Sequence, residues 1–233
     1  MKALLLAAGL GTRLRPLTDA IPKCLVPIRG KPLLGYWLDL LFEGGIESAL
    51  INTHHLADRV REFVAASRWR DRIALVHEDE LLGTGGTMLR NRDTFAGQAF
   101  MVAHADNLTR FDVTAFCGRH AQRPPGTVIT MMTFVTDAPQ SSGIVVENAA
   151  GVVTEFHEKE ANPPGNRANA AVYIFEPEIL SFLAAFGRPV IDLSTEVLPQ
   201  YLGRICSFLN ATYHRDIGTQ ESLRNAELEY PRY

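Results

Sequence analysis

Three features predict an α/β protein built on a mixed, mainly parallel central sheet flanked by helices. Short apolar runs alternate with helix-patterned segments, giving β-α-β-α-β-α-β through the first half. The runs are apolar along their whole length, as strands covered on both faces of a parallel sheet must be. In the second half the strands come closer together, around Val145 and Val153. The Asn148-Ala149-Ala150-Gly151 stretch between them reads as a hairpin turn, so antiparallel pairing is expected there.

Taken in order, strands are predicted over Lys2–Ala7, Ser48–Asn52, Ile73–His77, Ala99–His104, Val128–Phe134, Ile144–Glu147, Val152–Phe156, Ala170–Phe175 and Cys206–Asn210. Helices are predicted over Leu33–Glu43, Ala57–Ser67, Gly85–Asn91, Val113–Arg123, Pro177–Phe186, Leu193–Leu202 and Gln220–Glu229. Arg123-Pro124-Pro125-Gly126 and Ala161–Arg167 read as loops. There is no internal repeat and no long linker.

Composition narrows the function classes. The 233 residues are 46% hydrophobic and 21% charged, with a formal net charge of −3. No broad basic field exists to hold a nucleic-acid backbone, so nucleic acid is not an expected partner. The apolar run Ala3 to Ala8 is far too short to cross a bilayer, and no other stretch reaches that length. No membrane partner is expected. Cys24, Cys117 and Cys206 lack both metal-ligand spacing and an even count, which fits small apolar fillers in a reducing cytoplasm. Self-association into homo-oligomers stays open.

The most informative segment is Leu6-Ala7-Ala8-Gly9-Leu10-Gly11-Thr12-Arg13-Leu14, which follows the first strand directly. Gly9 and Gly11 permit backbone paths and close approaches that a side chain would block. A run of exposed N–H groups there can cradle phosphate oxygens, and Arg13 adds a planar fork matched to phosphate. Leu14 breaks the dinucleotide fingerprint, and no Gly-Lys-Ser/Thr ends the loop as in a Walker motif. Pro16, Pro22 and Pro27 then stiffen the chain, which can bring Lys23 back over the same phosphates. Asp106 stands just beyond an apolar strand, where open α/β sheets bind ligands. Taken alone, such an Asp reads either as a ligand-binding carboxylate or as a turn or cap residue.

Gly9 through Pro27 resembles the N-terminal motif of the sugar-1-phosphate nucleotidyltransferases, which make nucleotide sugars. Their pattern of Gly-x-Gly-Thr-Arg-Leu-x-Pro-Leu-Thr followed by Pro-Lys-x-Leu-x-Pro is matched in order. The resemblance extends over nearly the whole chain and is nearest to the short guanylyltransferases for mannose or manno-heptose 1-phosphates and the short uridylyltransferases. It implies a single Rossmann-like nucleotidyltransferase domain over 1–233, with 1–110 serving mainly the nucleotide and 111–233 mainly the sugar phosphate. It implies that Leu6, Ala7, Ala8, Gly9, Gly11, Thr12 and Arg13 bind the nucleotide, and that Arg13 and Lys23 are catalytic. Leu82-Gly83-Thr84-Gly85-Gly86 matches a small-residue stretch against the base, giving Gly83 and Thr84 as nucleotide contacts. Glu78 falls where the family faces the base with Gln or Glu. An ionised carboxylate only accepts hydrogen bonds, which favours the two adjacent donors of guanine and so GTP, with UTP or dTTP still open.

The resemblance further implies Asp106 and Asp216 as Mg2+ ligands, the latter from Asp216-Ile217-Gly218-Thr219. Glu158 and Lys159 match a Glu-Lys-Pro motif, Asn169 an Asn-x-Gly-Ile-Tyr strand, and Gly143 a glycine bordering the sugar. Three positions depart from the family pattern: Ala105 and Ala171 replace glycine, and Glu160 replaces proline. The expected partners are an NTP and a sugar 1-phosphate. Two rival readings are a CTP-dependent transferase acting on a non-sugar phosphate such as phosphocholine, and a non-catalytic nucleotide-sugar sensor.

Overall fold

The computed structural model describes residues 1–230. In chain order the first stretch runs β1 (Lys2–Leu6), α1 (Leu17–Ala20), β2 (Pro27–Ile28), β3 (Lys31–Pro32), α2 (Leu33–Glu43), β4 (Ser48–Thr53), α3 (Ala57–Ala66) and β5 (Ile73–His77). Then come α4 (Gly83–Arg90), α5 (Arg92–Phe95), β6 (Phe100–His104), β7 (Asn107–Arg110) and α6 (Val113–Ala121). The remainder adds β8 (Ile129–Val135), β9 (Gly143–Glu147), β10 (Val152–Glu158), β11 (Arg167–Phe175), α7 (Glu178–Ala184), β12 (Ile205–Leu209), β13 (Tyr213–Asp216) and α8 (Gln220–Glu229).

These elements form two compact bodies, each gathered from separate stretches of chain. One holds residues 2–81, 103–113 and 212–230; the other holds 82–102 and 114–211. In the first body β5, β4 and β1 pair in parallel, with Leu6 opposite Asn52 and Thr53 opposite His77. Parallel neighbours need crossover connections, and α2 and α3 supply them. α2 buries Leu33, Leu34, Trp37, Leu38, Leu41 and Phe42 on one broad face. Trp37 Nε1 donates to Asn107 O at 2.8 Å, fixing this helix to β7.

The short elements α1, β2, β3, α5, β7 and β13 lie outside the elements expected from periodicity. β7 and β13 have four residues each, too few to show an alternation. They pair antiparallel, with Asp216 opposite Asn107. Their neighbours form an apolar cluster of Leu14, Val26, Ile28, Leu33, Leu108, Ile217, Ala226 and Tyr230. α8 docks through Ala226 and starts at Thr219, whose side chain accepts from the Ser222 amide in a capping box.

The second body is mixed. β8 and β12 are parallel, whereas β11–β8, β10–β12 and β10–β9 are antiparallel, the last through the expected hairpin. A further antiparallel contact, Ala168 opposite Ile144, joins β9 to β11 and closes the ring of pairings. The helix predicted over Leu193–Leu202 divides into a π-type turn at Leu193–Val197 and a 3-10 turn at Leu198–Tyr201. Pro199 lacks the N–H that a continuous helix would need.

β11 begins three residues earlier than its apolar run and carries an irregularity between Asn169 and Tyr173. There Ala171 adopts φ 53°, in the left-handed region. For an L-residue with a Cβ this costs roughly 1–2 kcal/mol. The glycine usual at this place in the resembled family would adopt it without strain. Ala171→Gly is expected to stabilise the fold by about 0.5–1 kcal/mol once the added freedom of the unfolded chain is subtracted. The readout is a higher urea midpoint at unchanged slope, and an unchanged or lower midpoint would refute the strain.

Candidate active site

The loop after β1 is shaped by its glycines. Gly11 has φ 63°, and a Cβ there would lie 2.9 Å from Thr18 Cγ2 and 3.1 Å from Lys23 Cβ. Both backbone conformation and space therefore require glycine. The Gly11 carbonyl accepts from Thr18 Oγ1 at 2.8 Å and from the Leu14 amide at 2.9 Å. Among the described residues, the amides from Ala8 through Arg13 donate to no protein group. A row of such donors suits an anion. Gly9, Leu10 and Arg13 are exposed, whereas Ala7 and Ala8 are buried.

Lys23 follows Pro22 in a single 3-10 turn, and its stem lies against Gly11. Its side chain is only 6% exposed, and its ammonium sits 2.7 Å from Asp106 Oδ2 and 3.5 Å from Asp216 Oδ1. The β7–β13 ladder explains why carboxylates 110 positions apart meet: Asp106 directly precedes one strand and Asp216 ends the other. The Ala105 amide donates to Leu6 O at 3.0 Å, tying this corner to the end of β1. Arg13 Nη2 stands 3.6 Å from Asp216 Oδ2. Beneath that pair lies Gly218, where a Cβ would fall 2.6 Å from Asp216 Oδ2 and 2.7 Å from Arg13 Nη2. Gly218 thus makes room for both charged groups.

Desolvation pushes the Asp106 carboxyl up, but the Lys23 ammonium, His104 and a backbone hydrogen bond outweigh it and hold the group below its ordinary value. Burial pushes the neighbouring His214 down to about 3, against the pull of Asp106, so that imidazole is neutral. Burial likewise pushes the Cys24 thiol up to about 12, which makes it inert filler as the sequence suggested.

The two carboxylates converge on one cation and offer only oxygen donors, the chemistry of a hard divalent ion such as Mg2+. Among the described residues no three His, Cys, Asp or Glu side chains gather to hold a metal. An ion at Asp106 and Asp216 would complete its shell with substrate oxygens and water.

Glu78 lies beside Asn52 at the end of β5. It is 1% exposed, and its Oε1 accepts from Asn52 Nδ2 at 3.1 Å. Asn52 Oδ1 accepts from the Ala7 amide at 2.7 Å. Asn52 was not singled out from sequence, because a lone Asn at a strand end carries no motif.

The second body holds the other candidates. Gly83 has φ 72°, and a Cβ on it would lie 2.5 Å from Ile191 O; one on Gly86 would lie 2.0 Å from Pro189 O. The Gly85 and Gly86 amides donate to Ile191 O, and the Leu193 amide donates to Thr84 Oγ1 at 2.8 Å. These small residues make room for the backbone of 189–193.

Gly143 stands opposite Glu158 in the β9–β10 ladder. A Cβ there would lie 2.6 Å from Glu158 Oε2 and 2.8 Å from Phe156 Cζ, so the glycine makes room for both side chains. Lys159 has φ 54° and turns its ammonium to Glu158 Oε1 at 3.2 Å. Asn169 Nδ2 donates to Tyr173 Oη at 2.7 Å, and its Oδ1 accepts from the Ala171 amide at 3.0 Å. Burial raises the Tyr173 phenol far above its ordinary value, and nearby Glu158 adds to the rise. Tyr173 and its hydrogen bond were also unassigned from sequence.

Glu160, which replaces the usual proline, is engaged. His157 Nδ1 lies 3.0 Å from Glu160 Oε1, and Nε2 lies 2.9 Å from Glu155 Oε2. Hydrogen bonds to Glu155 first and Glu160 second raise the His157 pKa, because the imidazolium alone can donate from both nitrogens. These ion pairs are complete below the ordinary imidazole value of about 6.5 and are lost as pH rises through the raised folded value. A nitrogen-15 NMR titration should place the His157 midpoint above 6.5 by this reasoning, and Glu155→Gln should lower it. An ordinary or depressed midpoint would refute the bridge.

The sequence matches the family model described as Nucleotidyl transferase over residues 2–232. It is 31% identical to a UTP–glucose-1-phosphate uridylyltransferase of Synechocystis over 86% of this chain and 55% of the relative. It is 32% identical to a mannose-1-phosphate guanylyltransferase of Mycobacterium tuberculosis over 94% of this chain and 61% of the relative. The chain thus spans between half and two thirds of the length of these curated relatives. Among solved structures, a putative glucose-1-phosphate thymidylyltransferase from Bacillus anthracis superposes with a TM-score of 0.89 at 20% identity, covering 100% of this chain and 97% of that one. HddC from Yersinia pseudotuberculosis, solved with GMP-PN, superposes at 0.82 with 22% identity over 99% of each chain. With a match along almost its full length and the fold shared, the chain belongs to the nucleotidyl transferase family.

Proposed function

We propose that the protein joins a nucleoside triphosphate to a sugar 1-phosphate and releases pyrophosphate. The observation that carries this reading is the buried Lys23 ammonium between Asp106 and Asp216, with Arg13 beside it and the amides of the glycine loop unused. An arrangement of this kind suits polyphosphate chemistry, in which catalysis is positioning and charge neutralisation.

A sugar-phosphate oxygen attacks the α-phosphorus in line, and the bond to the pyrophosphate oxygen breaks. No covalent enzyme intermediate is required. The loop amides from Ala8 through Arg13 bind the triphosphate oxygens. Arg13 offers its planar fork to the phosphates, and Lys23 offers a compact charge as negative charge builds up on them. Asp106 and Asp216 would hold Mg2+, which when bound supplies further neutralisation of the phosphate oxygens. In the second body Lys159 serves as a point charge for the 1-phosphate, and Glu158 accepts from sugar hydroxyls. Asn169 and Gly143 border the sugar.

GTP is the first candidate nucleotide. The Mycobacterium tuberculosis guanylyltransferase matches the larger share of the chain of the two curated relatives described, and HddC was solved with a guanine nucleotide analogue. UTP and dTTP come next, after the uridylyltransferase and thymidylyltransferase relatives. Thermal-shift screening against GTP, UTP, dTTP, CTP and ATP gives the order.

Asp106→Asn keeps the shape of the site and removes one carboxylate. It is expected to lower Mg2+-dependent pyrophosphate release about 100-fold or more, the scale seen when a transition-state charge partner is removed. Near-normal turnover in the folded variant would sink the assignment of Asp106.

A further inference from the structure

One hydrogen-bonded row crosses the carboxyl ends of β1, β4 and β5. These strands end level with one another, with Leu6 opposite Asn52 and Thr53 opposite His77. The next amide along β1, that of Ala7, would continue the ladder. It donates instead to Asn52 Oδ1 at 2.7 Å, and Asn52 Nδ2 donates to Glu78 Oε1 at 3.1 Å. The Glu78 amide donates to Thr53 O at 2.9 Å, so Glu78 is itself held in place. Asn52 and Glu78 are 3% and 1% exposed.

An amide side chain has one accepting and one donating end. Its two orientations would be equivalent without a partner that distinguishes them. The Glu78 oxygen accepts and cannot donate when ionised, so it turns Nδ2 towards itself and Oδ1 towards Ala7. Buried in this way, the row has no water to replace a lost bond, and breaking it leaves a polar group unsatisfied. The loop whose amides stay unused begins at the next residue, Ala8.

We propose that Asn52 is a positioning residue for nucleotide binding. Its side chain, oriented by Glu78, stops β1 at Leu6 and sets the path of Ala8–Gly11, so that the loop amides converge on phosphate oxygens. Glu78 on this account acts through Asn52. The proposal rests on the reading of the glycine loop as the triphosphate site. A displacement of about 1 Å in such a cradle is enough to cost two orders of magnitude in rate or affinity.

The test exchanges the two functional groups. N52D keeps the size of the side chain but sets two carboxylates against each other, and their repulsion turns residue 52 out of the row and away from the Ala7 amide. N52D/E78Q restores the row, because the new amide at 78 donates to the new carboxylate at 52. Pyrophosphate release is measured with the preferred NTP and sugar 1-phosphate. For N52D the KM for NTP should rise about tenfold or more, a change of about 1.4 kcal/mol, while the KM for sugar 1-phosphate stays within about threefold. The double variant should return the KM for NTP to within about threefold of wild type. Hydrogen exchange at the Ala7 amide, read by NMR in the ligand-free protein, should be slow in wild type, fast in N52D and slow again in the double variant.

An unchanged KM for NTP in folded N52D, or a folded double variant no better than N52D, would overturn the proposal. So would fast exchange of Ala7 in wild type. If N52D does not fold, the double variant decides: recovery supports the row, and a weakened KM in a folded double variant refutes it. Failure of the wild-type protein to turn over any NTP would sink the triphosphate reading itself, and this proposal with it.

Discussion

The Lys23 ammonium between Asp106 and Asp216 is the interaction around which the first body is organised. A buried cation without partners would be prohibitively costly, so Lys23 demands both carboxylates. Those carboxylates come from stretches that follow long excursions of the chain. The β7–β13 ladder, the apolar cluster beneath it and the capped helix α8 are what bring them to one place. The same demand explains the local path of the Pro22–Leu25 turn, which aims a buried lysine inward when a surface lysine would have been ordinary. The result is a centre in which two cationic and two anionic groups meet.

Glycine in this protein serves the chain at least as much as any ligand. Gly11 admits Thr18 and the Lys23 stem, and Gly218 admits the Arg13 guanidinium and the Asp216 carboxylate. Gly83 and Gly86 admit the backbone at 189–191, and Gly143 admits Glu158 and Phe156. In each pair the glycine is the empty volume that lets a charged or backbone group reach its place. A small residue in a site motif is therefore evidence about packing first, and its link to a ligand runs through the group it makes room for.

The second body shows how departures from a family pattern are accommodated. Glu160 places a charge where proline would have stiffened the turn, and His157 binds that charge from one ring nitrogen while the other holds Glu155. The turn next to Lys159 is then held by an ion-pair bridge in place of a ring. Ala171 is accommodated less well: it takes the left-handed conformation with its methyl group present. Asn169 spans that irregularity, accepting from the Ala171 amide and donating to Tyr173, so it holds the strand as well as bordering the proposed sugar site.

Elements long enough to show a period were legible in the sequence. α2 and α8 start and stop where the pattern placed them, and the three parallel strands of the first body follow their apolar runs. The four-residue strands β7 and β13 were not legible, nor was the break at Leu198, because period and propensity need more residues than these possess. The motifs Gly9–Pro27 and Asp216–Thr219 singled out Arg13, Lys23 and Asp216, which the fold brings together. What the chain alone could not give was direction. Whether Lys23 faces in or out, whether Glu78 meets a ligand or Asn52, and what fills the space beside Gly83 depend on partners distant in sequence. Composition and motif determined the inventory of charges and small residues; only the tertiary structure decided which of them meet, because burial and pairing are properties of the assembled fold.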